Sequence, residues 1–247
     1  MIKFFRKIRQ KMLTENKFAK YLTYAIGEIV LVVIGILIAL WINNWNENRK
    51  LDEIRQSYYS KLMEDLEADK TYAKNQILKM ESSISNFENY ALIYKKPNLN
   101  LTEAFEAMKK NDWQVIILEF KSSTIKSLLN VGGLNLIDQT LRNNLESYNS
   151  SKNLTLNNFD RLGNSARNIL ENVTMQGGIA ELMIRLENQQ ELKKTLEMEN
   201  KIPDIFIKTE AYFAFKIGGY KGTIERLNNL IIDAEYNIEL IKKRLNK

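Results

Sequence analysis

Apolar and polar positions alternate along this chain in three distinct regimes. In the first, residues 29–42 (IVLVVIGILIALWI) pass without a charged or strongly polar side chain. Extended back to Tyr21 the stretch has 22 residues, about 33 Å of helix, enough to cross a hydrocarbon core. In the second, over residues 43–96, apolar side chains recur at Leu51, Ile54, Tyr58, Leu62, Leu66, Ala73, Ile77, Met80, Ile84, Phe87, Ala91 and Tyr94, with a single gap at Asp69. Steps of three and four predict one long helix with one buried stripe, continuous with the apolar segment and stopped by Lys95-Lys96-Pro97-Asn98. In the third, Phe213, Ile217, Tyr220, Ile224, Leu227, Ile231, Ala234, Ile238, Ile241 and Leu245 step four and three without a miss. That heptad seam predicts a helix packed on another in coiled-coil fashion, antiparallel to the first, with Gly218-Gly219 marking a kink or a close approach.

Shorter helices are expected between the two long ones. Thr102 suits an N-cap for a helix over 103–110. Residues 113–120 (WQVIILEF) have strand-like composition but no second strand to pair with, and are expected as buried helix or loop. Residues 122–131 should be helical with Gly132-Gly133 as the C-cap. Residues 136–150 carry Ile137, Leu141, Leu145 and Tyr148 on one face. Helices over 156–175 and 179–199, ended by Gly177-Gly178 and Pro203, complete the set. The fold class is all-α: an N-terminal amphipathic helix, one transmembrane helix continuing into a long helix, and an elongated antiparallel helical bundle outside the membrane. The divisions are a basic cytoplasmic tail (1–20), the transmembrane helix (21–42) and an extracytoplasmic helical domain (43–247).

Charge alters the picture through its location. The 247 residues hold 36 basic and 30 acidic side chains, a net of +6. Lys3, Arg6, Lys7, Arg9, Lys11, Lys17 and Lys20, offset by Glu15, account for all of it, leaving 29 of each sign beyond residue 20. A basic domain would point to nucleic acid; a basic tail before an apolar span is a topogenic signal that places the N-terminus in the cytoplasm. Phe4, Ile8 and Met12 recur every four residues with the cations opposite, the pattern of an interfacial helix on anionic lipid. Tyr21 and Tyr24 at one end of the span, with Trp41 and Trp45 at the other, fit two interfacial aromatic belts. The residues after Ala39 lack the small-residue pattern of a cleavage site, so the span reads as an uncleaved anchor. The expected partners are the bilayer and a second copy or another membrane protein, not nucleic acid.

One residue stands out in the span. Glu28 lies about a turn inside the hydrocarbon, where a carboxylate costs several kcal/mol. It shares a stripe with Val32, Gly35 and Ala39, and Gly35-x-x-x-Ala39 is a small-residue pair that lets another helix come close. Three readings remain open for Glu28: a place in a helix–helix interface, snorkelling to the headgroups, or proton handling.

The segments Ile2-Lys3-Phe4-Phe5-Arg6-Lys7-Ile8-Arg9, residues 24–40 (YAIGEIVLVVIGILIAL) and Ile42-Asn43-Asn44-Trp45-Asn46-Glu47 resemble a family of single-pass membrane proteins common in flavobacteria and their relatives, known only as a domain of unknown function. Leu128-x-x-x-Gly132-x-Leu134-x-x-Ile137 and Leu141-Arg142-x-x-Leu145-x-x-Tyr148 look like its weaker central motif. Trp41 departs from the polar residue expected there. The resemblance implies a Gram-negative inner membrane and a periplasmic domain, and it implies no activity.

Candidate chemistry is sparse. Without His or Cys there is no Ser-His-Asp or Cys-His constellation, no His or Cys metal site and no disulfide. The run Glu64-Asp65-x-Glu67-x-Asp69 scatters carboxylates around a helix and reads as a solvated face. The paired glycines follow no strand and lack Gly-Lys-Ser/Thr, so they are helix punctuation rather than phosphate loops. Trp113, Arg142 and Tyr148 could line a central pocket, with core packing the simpler reading. No enzyme activity and no cofactor are expected. The leading expectation is a periplasmic interaction or scaffold domain on a membrane anchor; a ligand-sensing domain and an ion-coupled accessory subunit using Glu28 are the alternatives.

Overall fold

The computed structural model describes residues 18–177 and 182–245. Among them the chain is all-α and has no strand. It divides into two compact units, residues 1–57 and 58–247. The amphipathic helix expected over the first residues, with Lys3, Arg6, Lys7, Arg9, Lys11 and Lys17, lies outside the described residues, as do the side chains of Lys20 and Tyr21.

The helix α1 runs Phe18–Ala91. Nothing in its sequence interrupts it: after Gly35 no Gly or Pro occurs until Pro97. A 3-10 turn, Leu92–Lys95, follows, and Asn98 takes a positive φ of 58° in the reversal beyond. The helices after it are α2 (Leu101–Lys109), α3 (Thr124–Asn130), α4 (Gln139–Met175), the short α5 (Leu182–Arg185) and α6 (Gln190–Thr195), and α7 (Met198–Leu245); a 3-10 turn, Gly133–Leu136, links α3 to α4.

The second unit is a helical bundle built on the later part of α1, α4 and α7. The predicted stripes meet in its core: Leu62, Leu66 and Met80 of α1, Leu141, Leu145 and Tyr148 of α4, and Leu227, Ala234, Ile238 and Ile241 of α7 are at most 2% exposed. Each buried Leu or Ile contributes about 1.5–3 kcal/mol relative to exposure, so this seam dominates stability. Ion pairs fix the directions. Lys70 and Lys74 of α1 approach Glu235, and Glu88 pairs with Lys221, so α7 is antiparallel to α1 as its seam suggests. Asp138, capping the start of α4 by accepting from Leu141 N, pairs with Arg244 near the end of α7; α4 is therefore antiparallel to α7 and parallel to α1. A second aromatic cluster, Tyr90, Met108, Ala166, Tyr212 and Phe213, fills the far end.

Several local expectations are corrected. The α2 cap is Asn100, not Thr102: its Oδ1 accepts from Glu103 N at 2.9 Å while Glu103 reaches back to Asn100 N, a reciprocal capping box. The helices expected over 136–150 and 156–175 are one helix, since Gly163 alone does not break it. Pro203 does not end a helix but sits inside α7 near its start. There it removes one backbone bond, on an exposed first stretch where water reaches the orphaned carbonyl. The stretch expected as one helix over 179–199 is broken among its described residues into the short α5 and α6 and the first two residues of α7. By contrast Gly132 takes a left-handed φ of 69° just after α3, as a helix terminator should. A Cβ at Gly133 would lie 2.8 Å from Leu128 Cδ2 and 3.3 Å from Tyr58 Cε2, so a larger residue would have to displace the side chains that seat this turn against α1.

Residues 112–123 are neither helix nor paired strand but an extended strap laid along the bundle. Asp112 bonds Ser83 at one end, and Ser123 N and Thr124 N bond Asp65 at the other. The strap therefore covers the rise of 18 helical residues of α1 in about a dozen of its own, about 27 Å against about 18 Å for a helix of that length. Extended backbone is what the distance requires.

Candidate functional site

In the first unit the apolar segment is exposed along its whole length. Leu31 is 73% exposed, Trp41 68% and Trp45 59%, and no residue of the apolar window is buried. Among the described residues this is the one helix long and apolar enough to cross a membrane. Glu28 is partly buried, Val32 and Ala39 are exposed, and nothing lies within 4 Å of a Cβ built on Gly35. Tyr24 is also exposed.

The second unit holds buried charge that the acidic run on α1 did not announce as such. Asp69, expected on a solvated face, is 3% exposed. Its Oδ2 accepts from Ser122 Oγ at 2.7 Å, Tyr148 Oη at 2.9 Å and Lys152 Nζ at 3.0 Å, and Lys152 also donates to Ser122 Oγ at 2.6 Å. One carboxylate oxygen thus gathers α1, the strap and α4, and the residue that broke the apolar stripe is the one that joins three elements. Burial, and then the neighbouring Asp69 charge, push the Tyr148 hydroxyl far above its ordinary pKa, so it stays a donor. Asp65, in the same run, caps α3 from another helix by accepting from Ser123 N and Thr124 N at 3.0 and 2.8 Å. Glu67 behaves as expected of a surface acid and pairs with Lys70.

The strap satisfies its backbone through side chains in place of a neighbouring strand. Tyr72 Oη accepts from Glu119 N at 2.7 Å and donates to Ile117 O at 3.3 Å; Tyr220 Oη accepts from Ile116 N at 3.3 Å. Lys216, with a side chain 4% exposed, donates to Asp112 O at 2.5 Å and lies 3.6 Å from Asp112 Oδ2. Burial pulls the Lys216 ammonium below the usual lysine range against the opposing pull of Asp112. For Asp112 burial acts upward, and the Gln114 amide, the Ser83 hydroxyl and Lys216 together hold it below the usual carboxylate range.

Trp113, Arg142 and Tyr148 do not share a pocket. Trp113 stacks on Tyr212 at 6.0 Å and meets Phe213 edge-on, Arg142 bonds Asn135, and Tyr148 belongs to the Asp69 network. A cavity does exist elsewhere, between α4, α7 and the strap, walled by Phe159, Gly163, Arg167, Tyr212, Lys216 and Val115 among others. None of these six was singled out as a ligand-binding residue from the sequence. The one available signal was Gly163 in the middle of an otherwise unbroken helical segment. No group of three or more acidic side chains suited to a metal ion occurs among the described residues.

A protein-family model described as a family of unknown function (DUF6090) matches residues 28–95. This chain is similar to that family from Glu28 through the stripe of α1 to the 3-10 turn that closes it. The basic tail and the central segments around Gly132 and Tyr148 lie outside the matched stretch. No curated protein and no solved structure matches the chain.

Proposed function

We propose that this is a membrane-anchored interaction protein of the single-pass type found in flavobacteria and their relatives. Residues 21–42 span the inner membrane, the basic tail faces the cytoplasm, and residues 43–247 form a periplasmic helical domain that contacts other proteins, as a homo-oligomer or as an accessory to another membrane protein. The observation that carries the reading is the uninterrupted exposure of the apolar segment. A contiguous apolar surface of that extent is a liability in water and matches a bilayer. The seven cations before the span support the orientation. The stripe Glu28, Val32, Gly35 and Ala39 supplies the helix-packing face: small residues allow close approach, and a neighbouring helix removes Glu28 from lipid.

Introduced cysteines test the topology cleanly because the chain has none of its own. In spheroplasts, Ser85→Cys should react with a membrane-impermeant maleimide, and Lys7→Cys should react only after permeabilisation. The reverse pattern overturns the orientation, and extraction of the protein by carbonate without detergent overturns the anchor. Gly35→Leu should abolish cross-linked oligomers in the membrane; unchanged oligomers sink the proposed packing face.

A further inference from the structure

We infer that the cavity between α4, α7 and the strap is a binding site for a short-chain aliphatic monocarboxylate, its chain held inside and its carboxylate met by Arg167. The argument begins with volume. The cavity measures about 60 Å³, several times what a water needs and room for a few carbons of chain. The walls are apolar: Phe159, Leu162 and Leu170 of α4, Phe215 of α7 and Ile116 of the strap. Charge then selects the head group. Arg167 and Lys216 are the charged residues of the lining; Lys216 is already matched by Asp112, which leaves Arg167 for the head group. Arg167 is exposed, as a cation at the mouth must be, and a planar guanidinium suits a carboxylate.

One further observation points to an occupant. Gly163 lies mid-way along α4 with nothing within 4 Å of where its Cβ would be. The protein's own packing does not require glycine there, and glycine weakens a helix interior; the missing side chain opens the cavity. The site is independent of the membrane reading, so failure of either leaves the other standing.

The test uses the full chain in lipid nanodiscs with 4,4,4-trifluorobutyrate, observed by ¹⁹F NMR against empty nanodiscs. Saturable binding is expected, about fivefold tighter than for 4,4,4-trifluorobutanol, because the ion pair with Arg167 is lost in the alcohol. Arg167→Gln, a surface change that leaves the core intact, should weaken the acid by about fivefold, the scale of an exposed ion pair, and narrow its advantage over the alcohol. Gly163→Leu should abolish binding while its melting temperature holds or rises. Absence of saturable binding overturns the site. So does a Gly163→Leu chain that is folded and still binds. Equal binding of acid and alcohol overturns the anion and assigns the cavity to an uncharged chain end.

Discussion

Asp69 of α1 and Lys152 of α4 form an ion pair at 3.0 Å whose two side chains are 4% and 7% exposed. A buried pair is weak evidence of net stabilisation, because desolvation offsets most of the attraction, but removing one partner strands the other. Asp69→Ala should therefore cost about 3–5 kcal/mol in urea denaturation. The double replacement Asp69→Leu with Lys152→Met should recover part of that loss, the Tyr148 hydroxyl still being without its acceptor. If the double variant is as unstable as the single, the pair is not the reason for the cost.

Tyr72 anchors the strap through one hydroxyl that both accepts and donates. Tyr72→Phe should lower stability by about 1 kcal/mol and speed amide exchange at Glu119 well before the core of α4 is affected. Uniform acceleration across the bundle would show instead that the strap does not open by itself.

Alkaline pH should destabilise the second unit through its buried tyrosines. Burial raises Tyr220 to about 12, and burial followed by Asp69 and by Glu210 carries Tyr148 and Tyr90 well above the usual tyrosine range. Between about pH 10, where a free tyrosine ionises, and these raised values the unfolded chain binds fewer protons than the folded one. Stability is thus fully present below about pH 10 and falls as pH rises through that window. Denaturation midpoints paired with tyrosinate absorbance check it; a flat midpoint there contradicts it.

Asp138 both caps α4 and holds Arg244. Burial acts to raise its pKa, and Arg244 with the Leu141 amide overcomes this and holds it below the usual range. Its contribution is present above the ordinary aspartate pKa of about 3.9 and is lost as pH falls through the lower folded value. Asp138→Ala should cost about 1–2 kcal/mol at neutral pH, with a smaller acid-induced loss than the parent. An acid limb unchanged in slope would place the proton uptake elsewhere.

Periodicity was enough to locate the two principal stripes, because the 3.6-residue repeat records burial directly. The heptad from Phe213 to Leu245 is buried along nearly all of its length. The gap at Asp69 was visible as an irregularity, but its meaning depends on Lys152, 83 residues away, and no local pattern encodes that distance. The strap was harder still. Its composition is that of a strand, yet its backbone partners are tyrosine and aspartate side chains on helices, which leave no repeat to read. Asp65 escapes a local pattern for a similar reason: it caps a helix remote in sequence, whereas Asn100 caps its own helix three residues before Glu103, where the nearby Thr102 is an equally good cap by residue type. The cavity arises from an absent side chain at Gly163 and from neighbours on three elements, so it could not be read from one of them.

The strap also sets where the bundle begins and ends. Counting α1, strap, α4 and α7, the chain traverses the second unit an even number of times. Tyr58, against the Gly133 turn, and Leu245, beside the Asp138–Arg244 pair, consequently sit at the same end. A tension applied between those two points loads the helices one contact at a time and peels them apart. Opposite ends would have loaded the whole seam in shear. The mechanical strength of this domain is therefore that of a zipper, low and directional, however stable its core is to heat or denaturant.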